Sequence, residues 1–315
     1  MKFGLHNFSF IPTTMKPIDV WPEIRERAQW LEENGFEYFS VMDHFWQIPA
    51  MGSPEEPFLE GWMTLAGLAA NTERLKLMTL VTGVGYRNPA LLIKMVTTLD
   101  IISGGRAILG IGGGWYQGEY DGYGYKRQRE FPRPGTRLAQ LKEAVQIAKL
   151  MWSDSRSNYE GKHFLVEDAI LEPKPLQQPR PRILIGGGGE NTTLRIVAEE
   201  ADLSNFGGGP QILASKLAVL RNHCDEVGRD IREIEITTFD RIMLAPTAAL
   251  AEEKWRAQGS PERDGHRGLV GTPKAVIDQL QIYRDLGVET LFIMVPTTDW
   301  ESLRLFTSEV IPAFE

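Results

Sequence analysis

The sequence predicts an α/β fold of the (β/α)8 or TIM-barrel class, with insertion segments. Strand-like and helix-like segments alternate eight times along the 315 residues, which is the pattern of eight strand–helix units. The strands include continuous apolar runs such as "LFIMV" and "ILIG", as expected where both faces of a parallel sheet are covered. The length suits one barrel of this class. We therefore expect a single domain over residues 1–315, and the competing architecture is a doubly wound sheet with an appended domain.

The alternating elements can be assigned in order along the chain. The predicted strands are residues 2–8, 36–42, 75–84, 107–114, 181–189, 202–209, 233–244 and 288–296. The predicted helices are residues 17–35, 60–72, 89–105, 137–152, 191–201, 211–228, 272–287 and 299–314. Gly35 closes the first helix and Pro89 opens the third, and both residue types are typical of these helix ends.

Two long connections interrupt the cycle, over residues 153–181 and 257–268. The first has the pattern of a hairpin followed by a proline-rich return, and the second is polar. Connections of this length are usually functional lids or flexible insertions. We therefore expect two insertions within one barrel.

Composition excludes several classes of protein. A net charge of −8 and a pI of about 5.4 argue against a broad basic surface for nucleic acid or an anionic membrane. The one cysteine, Cys224, cannot form an internal disulfide framework and suits a reducing compartment. No apolar run approaches the ~20 residues that span a bilayer, and the chain starts with a strand pattern rather than a secretion signal. We expect a cytoplasmic protein that acts on a small molecule, with no nucleic acid, membrane or metal partner.

In a barrel of this class the C-terminal ends of the strands face the active site. The residues predicted at or just beyond such ends are Asp43, His44, Thr82, Gly83, Gly112 and Gly186. Side chains alternate along a strand, so Ser40, Met42 and His44 point to the barrel axis and Asp43 has the opposite orientation. The alternative for a lone histidine is a hydrogen-bonded core or loop residue. Its position on the active face favours a functional role.

Glycine-rich segments follow two neighbouring strands. They are Gly186, Gly187, Gly188 and Gly189, and then Gly207, Gly208 and Gly209. Glycines let the backbone approach a ligand, and the helix N-terminus behind each segment attracts an anion such as phosphate. The spacing excludes a P-loop and argues against a dinucleotide fold. The alternative is a pair of tight turns without a ligand.

A third glycine-rich strand end differs, because aromatic and basic residues follow it. They are Trp115, Tyr116, Tyr120, Tyr123, Tyr125, Lys126, Arg127 and Arg129. Flat side chains together with positive charge suit a planar, anionic ligand. The alternative, aromatic packing on the barrel rim, is the preferred interpretation for most of these residues.

The chain resembles the bacterial luciferase-like flavin and deazaflavin superfamily over nearly its whole length. The segments that carry the resemblance, in family order, are "VMDHF", "TLVTGVGYRNPALLIKMVTTLDIISGGRAILGIGGGWYQGEYDGYG", "EPKPLQQPRPRILIGGGGENTTLRIVAEEADLSNFGGGP" and "GTPKAVIDQLQIYRDLGVETLFIM". Within the superfamily the chain is most similar to the branch that depends on the deazaflavin coenzyme F420. The resemblance implies a luciferase-like TIM barrel, a cofactor ring across the C-terminal strand ends, and a homodimer.

The resemblance also implies residue roles. It assigns Asp43 and His44 to the pair that borders the deazaflavin ring, and it places Trp46 near an aromatic residue over the substrate, with a different spacing. Thr82, Gly83 and Val84 correspond to a bulge in strand three that supports the ring, often through a non-proline cis peptide bond. The glycines at 186–189 and 207–209 correspond to phosphate-binding turns.

One departure from the superfamily concerns the substrate. Its sugar-phosphate dehydrogenases carry a catalytic glutamate just after the glycines of strand four, where this chain has Gly113, Gly114 and Trp115. Glu119 lies further on, and we interpret it as structural. A sugar-phosphate dehydrogenase is therefore not the expected activity.

The predicted function is hydride transfer between F420 and a small organic substrate, with His44 as an acid/base group or hydrogen-bond donor. An FMN-dependent luciferase-like monooxygenase is the first alternative, and a non-catalytic protein that binds a flavin or deazaflavin is the second. The pair Asp43 and His44 favours F420. The alternative for His44 is a residue that only shapes the pocket.

Overall fold

Strands and helices alternate along the chain in a computed structural model that describes residues 1–8, 15–127, 130–258 and 266–315. The strands are β1 (Lys2–Asn7), β2 (Tyr38–Val41), β3 (Lys76–Thr79), β4 (Thr82–Gly83), β5 (Ala107–Gly112), β6 (Ser157–Glu160), β7 (Leu165–Ala169), β8 (Arg182–Gly186), β9 (Leu203–Asn205), β10 (Glu235–Leu244), β11 (Leu269–Gly271) and β12 (Thr290–Met294). The helices are α1 (Pro17–Glu33), α2 (Gly61–Ala69), α3 (Pro89–Ser103), α4 (Gln117–Gly122), α5 (Pro134–Ser153), α6 (Thr193–Glu200), α7 (Pro210–Val227), α8 (Ala248–Ala257), α9 (Pro273–Asp285) and α10 (Trp300–Leu305). Short 3₁₀ and π turns cover Tyr125–Arg127, Ile231–Glu233, Phe306–Val310 and Ile311–Ala313.

Eight parallel strands close into a barrel. Their order is β1, β2, β3, β5, β8, β9, β10 and β12, and β12 pairs again with β1. The short strand β4 continues the path of β3 along β5, and β11 adds to β10 outside the closed ring. The predicted (β/α)8 fold is confirmed. That the chain forms a single domain stays a prediction.

Local sequence explains where the helices begin and end, as α3 illustrates. The side-chain oxygen of Asn88 accepts a hydrogen bond from the amide N–H of Ala90 at 2.9 Å, and Pro89 occupies the first helical position, which is a favoured arrangement. Gly104 ends the helix with φ +69°, a conformation that glycine adopts without steric cost. These signals place the start of α3 beside the C-terminal ends of the strands.

The barrel interior is filled with apolar side chains. The six buried residues of this interior layer are Tyr38, Met78, Ile108, Leu184, Leu203 and Phe292. At the N-terminal end, the buried carboxylate of Glu235 accepts hydrogen bonds from Arg182 at 2.7 Å and Thr290 at 2.6 Å. Burial opposes ionisation, but these two partners lower the pKa of Glu235 to about 2. Because the interior is packed, it leaves no room for a ligand, and the C-terminal end is where active sites of this fold lie.

Strand three contains a bulge. Met78 pairs with Ile108 and Thr82 pairs with Ile111. Strand three therefore advances four residues where β5 advances three, and the extra residue forms the bulge. The peptide bond between Leu80 and Val81 inside the bulge is cis. The resemblance assigned the bulge to residues 82–84, and the structure places it directly before Thr82.

The insertion over residues 153–181 contains the antiparallel hairpin of β6 and β7, as predicted. Its return segment packs on α3, where the carboxylate of Asp100 accepts amide N–H groups from Leu176 at 2.7 Å and Gln177 at 3.1 Å. The insertion joins a helix to the following strand, so it lies at the N-terminal end of the barrel and does not cover the strand C-terminal ends.

The second predicted insertion, 257–268, falls partly outside the described residues, which resume at His266. No helix within the described ranges combines the length and the apolar character that crossing a membrane requires.

Candidate active site

A histidine and a glutamate meet at the end of the second strand. His44 follows β2 by three residues, and its Nδ1 atom lies 2.7 Å from Oε2 of Glu119 on α4. The Glu119 side chain is fully buried, and that of His44 is 14% exposed. Glu119 also accepts hydrogen bonds from the hydroxyl of Tyr86 and the amide N–H groups of Phe45 and Trp46.

This arrangement fixes the tautomer of His44. The amide N–H groups can only donate, and burial, followed by the contact with Glu119, raises the pKa of Tyr86, so Tyr86 donates as well. A carboxylate surrounded by donors accepts the Nδ1 proton of His44. The Nε2 atom of His44 is then the nitrogen available to a ligand. The prediction that Glu119 is structural missed this contact, because 75 residues separate the two side chains in sequence.

Aromatic rings surround His44. The ring centroids of Trp115 and Tyr116 lie 5.8 Å and 6.0 Å from its imidazole. Trp115 is 56% exposed. The predicted site residue Trp46 donates its indole N–H to the hydroxyl of Tyr116 at 3.3 Å, and its ring also packs against Tyr123. Trp46 is therefore part of the rim of the site.

The other aromatic residues after the third glycine-rich segment pack among themselves. Tyr120 is buried and stacks on Tyr125 with ring centroids 5.1 Å apart. The hydroxyl of Tyr125 donates to the carbonyl oxygen of Tyr86 at 2.9 Å. Lys126 and Arg127 are exposed. The structure thus agrees with the rim-packing interpretation for Tyr120 and Tyr125.

Asp43 has the opposite orientation to His44, as the alternation predicted. Its buried carboxylate accepts from both terminal nitrogens of Arg87, at 2.6 Å and 3.0 Å, and from the indole of Trp62 on α2 at 3.3 Å. The hydroxyl of Thr82 donates to the same carboxylate. Asp43 therefore joins the end of β2 to the helix layer, and Thr82 points the same way. Val84 belongs to the core between strands and helices.

Three of the predicted glycines, at 83, 112 and 186, form a shelf at the ends of their strands, against which the side chain of Val81 packs. A Cβ atom on Gly112 or on Gly186 would lie 2.9 Å from a methyl carbon of Val81. A Cβ atom on Gly83 would lie 3.3 Å from the Cα atom of Gly114. The strand ends can approach each other this closely only because these residues are glycines. The methyl groups of Val81 therefore occupy the space that side chains at 112 and 186 would take.

The first glycine turn, at 186–189, leads into α6. Gly187 has φ +122°, where glycine is strongly favoured. Among the described residues, no acceptor lies within hydrogen-bond distance of the amide N–H groups of Gly188 and Gly189. The side chain of Lys216, held by Glu190 at 2.7 Å, comes within 3.6 Å of the Cβ position of Gly188. Free amide groups beside a lysine are suited to an anion.

The second glycine turn, at 207–209, leads into α7 and contacts a histidine that the sequence did not indicate. A Cβ atom on Gly209 would lie 3.0 Å from the imidazole of His266. His266 Nε2 lies 2.6 Å from Oδ2 of Asp240, and this hydrogen bond raises the pKa of His266. The imidazole of His266 therefore lies directly beside this turn.

Another buried histidine lies near His44. His6 on β1 has its Nδ1 atom 3.0 Å from the hydroxyl of Ser40 on β2. Burial, and then the charge of His44, lowers the pKa of His6 to about 3, so His6 is neutral near pH 7. Among the described residues, no group of three or more His, Cys, Asp or Glu side chains could hold a metal.

Comparisons with known proteins identify the family. The model of the luciferase-like monooxygenase family matches residues 1–265. The F420-dependent glucose-6-phosphate dehydrogenase of Segniliparus rotundus is 27% identical over 319 positions, covering 92% of this chain and 93% of that protein. Pyrimidine monooxygenase RutA of Acinetobacter baylyi is 31% identical over 253 positions, covering 78% of this chain and 64% of that protein.

A solved structure shows the same fold. Monooxygenase RslO1 from Streptomyces bottropensis matches with a TM-score of 0.85 at 20% identity, over 100% of both chains. The barrel, its bulge and the polar residues at its C-terminal end thus occur in a chain whose sequence matches one family over most of its length. The chain is an oxidoreductase and belongs to the luciferase-like monooxygenase family.

Proposed function

We propose that this protein transfers a hydride between coenzyme F420 and a small organic substrate. The observation that carries the proposal is the orientation of His44 by the buried Glu119, with 2.7 Å between Nδ1 and Oε2. It leaves the Nε2 atom free of Glu119, so that this nitrogen can exchange a proton with a bound substrate. The F420-dependent relative that aligns over 92% of the chain supports the same assignment.

The residues present suit a deazaflavin or flavin cofactor, and F420 is the member that we propose. The shelf of Gly83, Gly112 and Gly186, with the methyl groups of Val81, would hold the planar ring. The turns at 186–189 and 207–209 would hold the phosphate, because their amide groups and nearby cations provide the donors. When bound in its reduced form, F420 supplies a hydride to the substrate.

In this proposal His44 exchanges a proton with the substrate. In the reducing direction, the substrate carbon receives the hydride and the neighbouring oxygen, nitrogen or carbon receives the Nε2 proton of the doubly protonated imidazole, which leaves His44 as the neutral Nδ1–H tautomer. The substrate thereby gains two hydrogen atoms overall. In the oxidising direction His44 accepts that proton. Glu119 stabilises the protonated imidazole by accepting its Nδ1–H, and Trp115 and Tyr116 limit the access of water to the ring.

Asp43, Thr82 and Val84 have a supporting role in this proposal. Their side chains point to the helix layer, so they position the end of β2 and the bulge of strand three. Trp46 contributes to the rim of the pocket through Tyr116. The position of Trp115 after the strand-four glycines argues against a sugar phosphate as the substrate.

A second candidate is an FMN-dependent monooxygenase. The relative RutA, at 31% identity, favours it, and the shelf would accept either ring. A protein that binds the cofactor without turnover is the remaining alternative, and the oriented His44 argues against it.

Cofactor titration tests the proposal. The apo-protein is titrated separately with F420 and with FMN, and the fluorescence of each cofactor is followed. We expect saturation by F420 at micromolar concentration or below, and weaker binding of FMN. Nanomolar binding of FMN with only millimolar binding of F420 would contradict the proposal. Oxidation of reduced F420 with enones, imines and nitro compounds, and reduction of F420 with alcohols, then identifies the reaction.

We also propose a homodimer through α2 and α3. These helices expose Met63 and Leu91, which are 73% and 56% accessible, and exposed apolar groups on neighbouring helices are typical of an interface. Light scattering of the wild type and of Met63→Glu tests this. A monomeric wild type would exclude the dimer.

A further inference from the structure

Arg241 points into the mouth of the barrel. It lies on β10, where Phe239, two residues before it, packs against the interior clusters. Asp240 has the opposite orientation, since its carboxylate accepts the hydroxyl of Tyr283 on α9 at 2.9 Å. Side chains alternate along a strand, so Arg241 extends inward at the C-terminal end, where the candidate site lies.

The guanidinium of Arg241 has no carboxylate partner within the described part of the chain. Its Nη2 atom contacts the sulfur of Met51 at 3.0 Å, and its central carbon lies 6.0 Å from the ring centroid of Phe8. The neighbouring carboxylate of Asp240 is occupied by His266, Tyr283 and the backbone amide of Arg241. Arg241 is half-buried, and burial lowers its pKa.

Other half-buried arginines of this protein have strong acceptors. Arg87 binds Asp43 and Glu60, and Arg182 binds Glu235. Arg106 donates to backbone carbonyl oxygens. A partly desolvated cation whose polar contact is a thioether sulfur, a weak acceptor, is costly without a further anionic partner. The difference indicates that no described residue of the chain supplies the anionic partner of Arg241, and that a bound ligand could supply it.

Apolar residues surround this cation. We name them the mouth cluster, and its members are Phe8, Met42, Ile48, Met51, Phe58, Tyr116, Phe239 and Met294. Tyr116 connects the mouth cluster to the candidate site, because its ring lies 6.0 Å from the imidazole of His44. A ligand that reaches from His44 to Arg241 therefore contacts methionine and aromatic side chains along the way.

We propose that Arg241 binds the carboxylate of the substrate, and that the substrate is an acid with an apolar body and a reducible carbonyl or conjugated double bond. This inference rests on the proposed hydride transfer. A guanidinium pairs with a carboxylate through two parallel hydrogen bonds. The apolar side chains of the mouth cluster suit the apolar body of such an acid. One guanidinium supplies one positive charge, which matches a monoanion better than a phosphate. The hydride adds to the reducible carbon, and His44 supplies the proton that completes the product.

The test compares acids with their methyl esters. Cinnamate and phenylpyruvate, each with its ester, are assayed as acceptors of the hydride from reduced F420, and hydrocinnamate with its ester is titrated into the protein without turnover. The variants are Arg241→Met, which keeps an apolar stem, and Arg241→Lys, which keeps the charge. The matched control is Arg232→Met, because Arg232 is an exposed arginine near the opposite end of β10.

We expect the wild type to prefer acids over esters. Arg241→Met should weaken acid binding by about tenfold to a hundredfold, the usual value of a charge-assisted hydrogen bond, and leave ester binding unchanged. Arg241→Lys should restore part of the preference, and Arg232→Met should match the wild type. Equal losses for acid and ester, or a wild type that binds neither or prefers esters, would overturn the inference.

If the proposed function itself is wrong, the cofactor titration gives a different result. In that case the wild type does not bind F420 in the titration above. If F420 binds and the acids have no advantage, only the inference about Arg241 is wrong.

Discussion

The Nδ1 atom of His44 lies 2.7 Å from Oε2 of Glu119, and the glutamate is fully buried. The two residues come from different strand–helix units, one after β2 and one on α4. Their contact joins the loops that follow barrel strands two and four. It gives the imidazole one orientation and one available nitrogen.

The first prediction concerns Glu119→Gln. The glutamine amide can donate to Nδ1, which moves the proton of the neutral imidazole to Nε2 and removes the carboxylate that stabilises the protonated form of His44. We expect kcat to fall by about 10²-fold and the pH profile of turnover to change, while the affinity for F420 is retained. Steady-state kinetics between about pH 6 and 9 measures this.

The control for that variant is Glu37→Gln, which changes an exposed glutamate paired with Lys76 near the start of β2. Its turnover should equal that of the wild type. Glu119→Asp should recover part of the loss. A Glu119→Gln enzyme with unchanged kcat and pH profile would show that the contact only shapes the loop.

The second prediction is that Asp43 stabilises the fold and takes no part in catalysis. Asp43→Asn leaves the buried guanidinium of Arg87 with Glu60 as its remaining carboxylate. Breaking a buried ion pair usually costs about 3–5 kcal/mol, so we expect a lower free energy of unfolding in urea. The turnover of the folded fraction should change little. Should Asp43→Asn keep its stability and lose turnover, Asp43 acts in catalysis.

The third prediction tests the first phosphate turn. Gly187→Asp introduces a side chain at φ +122° and a negative charge beside the free amide groups. A charge at a helix N-terminus is worth about 0.3–1 kcal/mol, and up to about 2 kcal/mol where it is partly buried, so the Kd for F420 should rise by roughly two- to thirtyfold. Fluorescence titration measures it.

Gly228→Asp is the matched control for Gly187→Asp. Gly228 also has positive φ, +69°, but it ends α7 at the other side of the barrel. This variant should lose some stability and bind F420 like the wild type. Similar losses of affinity in both variants would mean that strain, rather than charge at the turn, determines binding.

The fourth prediction concerns acid stability. The folded-state pKa of Glu235 is about 2, below its usual 4.5, because Thr290 and Arg182 offset the effect of burial. The ionised carboxylate therefore stabilises the fold above a pH of about 4.5, and this contribution is lost as the pH falls towards 2. The Tm difference between the wild type and Glu235→Gln should be largest near neutral pH and shrink in acid. A difference that is constant with pH would contradict this.

The periodicity of the sequence is sufficient to predict the barrel, while the inward orientation of His44 stays a prediction. Apolar runs separated by amphipathic segments identify the strands, and alternation within "FEYFSVMDHF" directs His44 inward and Asp43 outward. The glycines of the shelf were also predicted, because glycine at a strand end leaves the backbone open to a close approach. These inferences depend on local patterns.

The partners of the site residues could not be predicted in the same way. Glu119, Arg87 and His266 lie in different segments from their partners His44, Asp43 and Asp240, and the packing of loops from separate strands, rather than any short motif, brings them together. The alternation of side chains along β10 directs Arg241 inward, but the sequence does not show whether a carboxylate of the chain pairs with it. That distinction requires the surrounding side chains.

Transfer of deuterium tests the central claim most directly. Reduced F420 carrying deuterium at its hydride-donating carbon is incubated with the protein and an acceptor substrate, and the product is analysed by mass spectrometry. The account predicts one deuterium in the product, with slower transfer in His44→Asn because the proton is missing. A product without deuterium, formed with consumption of oxygen and reduced FMN, would contradict it.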